Sequence, residues 1–364
     1  MTENKQDIYR NLQIHLDQFP IGFPPTKTGI ELKLLKNVFT EKEAIIATKL
    51  RASFDSLEEI HERFNEMEMK HDELEQILDV MVKKGTLKYK VVNGNKMYAN
   101  IPLIVGIYEH QVNKLTPEFF NDFKEYLLTA FGAELLGTKI SQFRTIPIGE
   151  SITPEHAIAD YDEIRKVIEN SIEPIGVANC VCRQANEVMG HSCEKTSLKE
   201  TCLYFNSTGQ LFIDQGWARP ISKEEALDIV NQSEKDGLTL QAGNTKNPEF
   251  ICSCCSCCCQ ILTNLQKIPR PSRVISSNYY AVVDPELCVG CETCLERCQI
   301  NSIKIVDNKA KVLLKRCIGC GVCVPSCLED AISLKKKTEI SVPPQTLENL
   351  YNTILEKKQE IRRK

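Results

Sequence analysis

The stretch that decides the fold reads Cys288-Val-Gly-Cys291-Glu-Thr-Cys294-Leu-Glu-Arg-Cys298. The pattern returns as Cys317-Ile-Gly-Cys320-Gly-Val-Cys323-Val-Pro-Ser-Cys327. Each run has the spacing Cys-x2-Cys-x2-Cys-x3-Cys, in which three close thiolates bind one iron–sulfur cluster and the fourth reaches the other cluster. We therefore expect two [4Fe-4S] clusters, the first bound by Cys288, Cys291, Cys294 and Cys327, and the second by Cys317, Cys320, Cys323 and Cys298.

The residues around these cysteines fit the same interpretation. Gly290, Gly319 and Gly321 lie between ligands, where the backbone must turn tightly. Zinc is the alternative, but zinc sites usually use two Cys-x2-Cys pairs separated by a longer loop. Short apolar segments between and beside the runs predict strands at residues 282–283, 303–306, 312–314 and 332–334.

This segment resembles the bacterial-type 2[4Fe-4S] ferredoxin domain. It departs from that pattern at Gln299 and Leu328, which stand where proline usually follows the fourth cysteine. Proline helps to turn the chain but binds no iron, so the ligand assignment is unaffected.

Length, charge and cysteine content limit the classes of protein to consider. The chain has 364 residues, enough for two or three domains, and a net charge of -4, which gives no general attraction to nucleic acid. We expect no signal peptide at the polar N-terminus, and the longest apolar run, residues 101–108, is too short to span a bilayer. We expect a cytoplasmic protein whose 18 cysteines are metal ligands rather than disulfides, from an anaerobic organism.

The N-terminal third has the signals of a winged helix-turn-helix. Thr40 and Ser56 each begin a capping box, and a third helix runs from about Asp72 to a glycine cap at Gly85. Asn93-Gly94 then joins two alternating segments, which is a strong signal for a β-hairpin. Three helices followed by a hairpin predict a winged-helix-like domain over residues 30–100.

DNA binding is the first function to consider for such a domain. Lys88, Lys90 and Lys96 on the hairpin favour it. The second and third helices, however, carry many carboxylates, which would repel the DNA phosphates. DNA is therefore disfavoured as a partner, and we expect a protein-docking or structural role.

A first group of cysteines in the middle of the chain comprises Cys180, Cys182, Cys193 and Cys202. Four thiols within 23 positions can close one metal site. A third [4Fe-4S] cluster is our preferred interpretation, with a zinc ion or free thiols as alternatives. Arg183 lies beside the first two cysteines and can offset thiolate charge.

The second group contains Cys252, Cys254, Cys255, Cys257, Cys258 and Cys259. Adjacent residues of an extended chain point in opposite directions. The pairs Cys254/Cys255 and Cys257/Cys258 are therefore expected to serve two centres, or one centre and an open thiol. Together the ten thiols allow two four-cysteine clusters with two thiols left over, and the sequence equally allows ligands to be exchanged between the two groups.

Over most of its length the chain resembles multi-domain prokaryotic 4Fe-4S dicluster proteins that begin with a winged-helix-like domain. The features that carry this resemblance, besides the cysteine repeat, are Gly106-Ile-Tyr-Glu109, Asn179-Cys-Val-Cys-Arg183 and the 252–259 cysteine run. The resemblance implies iron–sulfur binding and electron transfer. We expect an α+β multi-domain chain with a winged-helix-like domain at 1–105, a cysteine-rich α/β domain at 106–275, a ferredoxin-like domain at 276–338 and an amphipathic helix at 339–364.

Three functions follow from these features. The preferred one is a protein that passes single electrons between a redox partner and the upstream cysteine-rich centre, and that is not an enzyme by itself but a component of an oxidoreductase system. The second is a redox-sensing, DNA-binding regulator. The third is a reductase whose active site lies among the cysteines at 180–259. The chain carries no nucleotide-binding fingerprint, so its electrons must come from another protein.

Overall fold

A computed structural model describes residues 7–64, 69–153, 156 and 158–363. The protein mixes helices and sheets and divides into two compact units. The first contains residues 7–138, 214–217 and 351–363, and the second contains residues 139–213 and 218–350. The four-domain division expected from the sequence stays a prediction. Among the described helices, none combines the length and the apolar character needed to cross a membrane.

The first unit is mainly helical. Its helices are α1 (Ile8–Leu16), α2 (Ile30–Val38), α3 (Glu41–Ala47), α4 (Leu57–His61), α5 (His71–Lys84), α6 (Pro117–Tyr126) and α7 (Gly132–Gly137). Its strands are β1 (Asp55–Ser56), β2 (Leu87–Val92) and β3 (Asn95–Asn100), in the order β1-β3-β2.

Local sequence signals account for the ends of these elements. Both predicted capping boxes are confirmed. The side chains of Thr40 and Ser56 accept hydrogen bonds from the backbone three residues on, and their own backbone amides donate to the carboxylates of Glu43 and Glu59. Gly85 ends α5 in the left-handed conformation, and Asn93-Gly94 forms the hairpin turn between β2 and β3. The expected elements are therefore present between residues 40 and 100.

The second unit is built on a seven-stranded sheet. Its helices are α8 (Ile164–Glu169), α9 (Val181–Val188), α10 (Asn206–Asp214), α11 (Lys223–Lys235), α12 (Gln260–Leu265) and α13 (Thr293–Arg297). The strands of the sheet, in chain order, are β4 (Phe143–Ile146), β5 (Ile175–Asn179), β6 (Glu200–Tyr204), β7 (Ala218–Ile221), β8 (Thr239–Gly243), β9 (Phe250–Cys254) and β10 (Ile275–Ser276). Their spatial order is β10-β4-β8-β9-β6-β5-β7, and all pairings except β10 with β4 are antiparallel.

The two faces of this sheet have different neighbours. On one face, side chains such as Ile146, Leu240 and Ile251 form a core with α8 and α11. On the opposite face, Cys254 packs with α12 and with apolar residues of the cysteine repeat, among them Ile318. The sheet therefore separates an ordinary hydrophobic core from a layer rich in thiols.

The cysteine repeat follows the sheet as two small antiparallel ribbons. Strand β11 (Tyr279–Val283) pairs with β14 (Ile332–Lys336), and β12 (Ile303–Val306) pairs with β13 (Lys309–Val312). The strands expected at 282–283, 303–306 and 332–334 are present, and the one expected at 312–314 lies a few residues earlier, at Lys309–Val312. A last helix, α14 (Leu347–Arg362), ends the chain, and its residues from 351 onward belong to the first unit.

Candidate metal centres

Four cysteines of the repeat line one cavity, which we call site A. They are Cys288, Cys291, Cys294 and Cys327, the set that the spacing assigned to one cluster. Ala310 and Ile332 supply apolar walls, and Glu292 and Glu329 lie at the same cavity. The chain thus brings Cys327, the last cysteine of the second run, next to Cys288, Cys291 and Cys294 of the first run. This is the crossed ligand pattern that the spacing predicts.

The backbone of site A is arranged to support negatively charged sulfur. The Ala310 amide donates a hydrogen bond to Cys288 Sγ at 3.3 Å, and Thr293 Oγ1 lies 3.5 Å from Cys291 Sγ. Burial, followed by the charges of the other thiols, raises the pKa of Cys294 to about 11. Four thiolates at such a place need a compensating charge, which a metal cluster provides.

The second set of four, Cys317, Cys320, Cys323 and Cys298, also lies together, and we call it site B. Burial raises the pKa of Cys320 to about 12, and the neighbouring charges of Cys298 and Cys317 add to that rise. The Ala281 amide donates to Cys317 Sγ at 3.4 Å, and the Ser302 amide donates to Cys298 Sγ at 3.1 Å. Site B therefore has the same kind of amide–sulfur support as site A.

The two sites differ in their access to solvent. Cys291 of site A is exposed, whereas the thiols of site B are buried or half-buried. Exposed apolar side chains accompany site A. Val289, which is 63% exposed, lines its cavity, and Leu328, which is 94% exposed, follows Cys327 in the chain. Sites A and B share one hydrophobic core, so they are neighbours within the second unit.

Six upstream cysteines form a closed ring of thiols. Each interacts with two others, in the order Cys180, Cys182, Cys259, Cys254, Cys252, Cys202 and back to Cys180. We call this group the six-thiol ring.

Sheet geometry places the members of the ring. Cys202 and Cys252 are direct partners across β6 and β9, and Cys254 lies two residues further along β9 on the same face. Cys180 precedes α9, and Cys182 lies in its first turn. Cys259 occupies the equivalent position before α12.

Hydrogen bonding around the ring alternates between donating and accepting sulfurs. Bonds from neighbouring thiols lower the pKa values of Cys180, Cys252 and Cys259. The same bonds raise the pKa values of the three thiols between them, Cys182, Cys202 and Cys254. Half of the ring thus favours the thiolate form, which is the form that binds metal.

Three polar side chains on the sheet face this ring without ordinary partners. Thr145, Gln241 and Cys252 are consecutive cross-strand neighbours, and Thr239 is the neighbour of Cys254. Among the described residues, Thr145 Oγ1, Thr239 Oγ1 and Gln241 Nε2 are buried and have no conventional hydrogen-bond partner. Buried polar atoms in this state normally serve a ligand or an unplaced group. A bound iron–sulfur cluster fits the ring, because its sulfides would accept these bonds.

Sequence reasoning missed these polar residues. The signal was the alternation in Thr239-Leu-Gln241-Ala-Gly, which is typical of a strand with one polar face.

The ring is also adjacent to site B. Cys254 and Cys259 share an apolar cluster with Cys298 and Cys320. The Thr239 hydroxyl is directed at the Cys320 thiol and favours its thiolate form, although burial has the larger and opposite effect on its pKa. Thr239 therefore lies next to both centres, since its backbone is also paired with that of Cys254.

The remaining four cysteines form a separate, tighter group, which we call the four-thiol group. It contains Cys193, Cys255, Cys257 and Cys258, whose sulfurs all lie within 4.8 Å of one another. Arg183 lies between this group and the ring and is buried, and it donates to the Ser253 carbonyl at 2.8 Å. Burial alone would lower the pKa of Arg183, but the charges of thiolates from both groups, chiefly Cys180 and Cys255, raise it.

The spatial grouping differs from the sequence order. The structure brings Cys180, Cys182 and Cys202 together, but it places Cys193 with the later cysteines. The pair Cys254/Cys255 is divided between two groups, whereas Cys257 and Cys258 belong to the same one. This is one of the exchanges between groups that the sequence allowed.

Comparison with known proteins identifies one segment. Residues 280–328 match the family model of the 4Fe-4S dicluster domain. The match supports the two [4Fe-4S] clusters expected there and a part in iron–sulfur electron transfer, and it covers only a small part of the chain. No curated protein and no solved structure matches the chain.

Proposed function

We propose that this protein passes single electrons from a redox partner through sites A and B to an iron–sulfur cluster held by the six-thiol ring. The observation that carries the proposal is the position of Thr239, between Cys320 of site B and Cys254 of the ring. The shared apolar core of sites A and B supplies the other half of the route. Electrons would move between neighbouring centres within a single unit of the protein.

Site A is the entry point in this proposal. Cys291 is exposed, and Val289 and Leu328 offer apolar surface of the kind that a transient partner covers. Glu292 and Glu329 at the rim favour a partner with a basic surface. Site B and the six-thiol ring are more buried than Cys291, so solvent is kept away from the centres that the electron reaches after site A.

Metal content tests the first part of the proposal. Protein purified without oxygen should contain at least about 12 iron atoms per chain, eight in sites A and B and four or more in the ring. Cys254→Ala should lower the iron and sulfide content to about eight of each and remove one EPR signal. Ser253→Ala is the matched control, since Ser253 lies on the opposite face of β9. About eight iron atoms in the unaltered protein would show that the ring holds no cluster.

The route itself is tested at Thr239. Removing its hydroxyl with Thr239→Val should lower the reduction potential of site B, because hydrogen bonds to cluster sulfurs raise that potential. It should also change the rate at which the ring cluster is reduced after an electron enters site A. Thr208→Val, which removes a hydroxyl bonded to Glu249 instead, should leave both unchanged. Equal potentials and rates in all three proteins would contradict the route.

We also infer that residues 30–100 form a winged-helix-like domain used for docking rather than for reading DNA. Lys88 and Lys90 lie over the Phe54 ring at 4.8 and 4.4 Å, and Lys96 is paired with Asp79 at 2.6 Å. The hairpin lysines are thus engaged within the protein. Binding to random-sequence DNA at low salt, weakened by Lys90→Gln, would overturn this inference.

A further inference from the structure

The four-thiol group has the dimensions of a single tetrahedral ion. Cys193 Sγ lies 3.6 Å from Cys255 Sγ and 3.7 Å from Cys257 Sγ, and the sulfurs of Cys257 and Cys258 are 3.7 Å apart. A zinc–sulfur bond of about 2.3 Å in a regular tetrahedron separates the sulfurs by about 3.8 Å. These three separations match that spacing, and the remaining sulfur pairs lie within 4.8 Å, which is close enough for four thiolates on one metal ion.

We propose that Cys193, Cys255, Cys257 and Cys258 bind one zinc ion in a closed structural site, independent of the electron route. A [4Fe-4S] cluster does not fit this group, because its thiolates bind four different irons and are held apart by the inorganic core. Here all four sulfurs lie within 4.8 Å of one another, which is not the case for any such set among the described thiols of the six-thiol ring. A single tetrahedral set of four sulfurs is typical of zinc or of mononuclear iron. Zinc is favoured between these, since divalent zinc binds a given ligand set more tightly than ferrous iron.

The surroundings of the site suit a doubly negative zinc–thiolate centre. Cys255 and Cys258 are buried against Leu238, which keeps water from the ion. The Glu194 amide donates to the Cys257 sulfur, and the buried guanidinium of Arg183 offsets charge from the side of the ring. Among the described residues, no fifth cysteine, histidine or carboxylate joins this group, so the four thiols complete the coordination.

The position of the site indicates what the zinc does. Cys193 belongs to the irregular segment between α9 and β6, whereas the other three ligands lie in the turn between β9 and α12. An ion shared by these parts fastens the irregular segment to the turn. It also holds α9, which carries Cys182, beside the start of α12, which follows Cys259. The zinc site therefore steadies two ligands of the neighbouring ring without taking part in its chemistry.

The test counts zinc, iron and sulfide separately in the full-length protein, purified without oxygen and without added metal. We expect one zinc per chain in the unaltered protein, nearly complete loss of zinc in Cys193→Ser, and full retention in Ser256→Ala. Ser256 is the matched control, because it lies between two ligands and its described contacts use its backbone. Cys254→Ala should lose iron and keep zinc, which distinguishes this site from the ring.

Three results would overturn the proposal: no zinc in the unaltered protein, zinc that persists in Cys193→Ser, or one extra iron in place of zinc. If Cys193→Ser fails to fold, the unaltered protein produced with cobalt provides a second measurement. One cobalt per chain with the intense thiolate-to-cobalt absorption of a tetrahedral site would support the proposal. Cobalt without that absorption would refute it. Because zinc and iron are measured independently, the zinc proposal and the proposed electron route can each be refuted without the other.

Discussion

The buried ion pair of Arg144 and Asp162 allows a direct test of what stabilises the second unit. The guanidinium and the carboxylate are in direct contact, and their side chains are only 1% and 2% exposed. Asp162 Oδ2 also accepts a hydrogen bond from Asn278 Nδ2 at 2.7 Å, just before the ribbon that begins the dicluster segment. One carboxylate therefore links the large sheet to that segment.

Replacing Asp162 by asparagine removes the charge and keeps the shape. Among the described residues, no second carboxylate bonds to Arg144, because its Nε and Nη1 atoms are buried without hydrogen-bond partners. The Tyr161 ring lies 4.9 Å from the guanidinium. Leaving one charge of a buried pair uncompensated costs about 3–5 kcal/mol. That is a large fraction of the about 5–15 kcal/mol that stabilises a typical domain.

Urea unfolding without oxygen, followed by the visible absorbance of the clusters, measures this cost. Asp162→Asn should lower the free energy of unfolding by about 3 kcal/mol or more. Asp160→Asn, which alters an exposed carboxylate two residues earlier, should change it by no more than about 0.5 kcal/mol. Removing both partners, with Arg144→Leu and Asp162→Leu together, should cost less than Asp162→Asn alone. The reasoning would be refuted if Asp162→Asn lowered the free energy of unfolding by less than about 1 kcal/mol. It would also be refuted if the double variant were less stable than Asp162→Asn alone.

Two further predictions concern single residues elsewhere. Gly290 has a φ of +75°, and an added Cβ would lie 2.2 Å from the Asn308 carbonyl oxygen, so Gly290→Ala should reduce iron content. Gly190→Ala, at φ +83° with open space around it, is the control and should retain full iron. Equal loss of iron in the two variants would show that the positive φ, and not the contact with Asn308, causes the loss. Burial, with help from Lys114 and Lys88, lowers the pKa of His110 to about 3. Between pH 6.5 and pH 5 the histidine takes up a proton in the unfolded chain but not in the folded chain. The free energy of unfolding should therefore fall by roughly 1.6 kcal/mol over that range. His110→Gln should flatten that slope in unfolding followed by Trp217 fluorescence, whereas an unchanged slope would contradict it.

Local signals predicted the parts of the fold that local chemistry decides. The capping residues Thr40 and Ser56 and the Asn93-Gly94 turn lie where the sequence predicted them. The grouping of Cys288, Cys291 and Cys294 with Cys327 also followed from spacing alone, although its role as a ligand set stays a prediction.

Long-range pairing decided what the sequence could not. Cys202 meets Cys252 because β6 pairs with β9 across almost fifty residues, and no local spacing contains that register. Gly132 shows that a glycine does not always end a helix. A widened turn at Leu127–Phe131 carries the chain through this glycine in helical conformation, and the helix continues as α7 to Gly137.

The division of Cys254 and Cys255 between two centres has an evolutionary consequence. Neighbouring residues go to different centres there because successive side chains leave the chain in opposite directions. Inserting or deleting one residue between Cys252 and Cys259 would move thiols from one of the two groups to the other. Surface loops can lengthen and shorten over generations, but this stretch cannot. In distant descendants of the same ancestor, its length should persist after much of the surrounding sequence has changed.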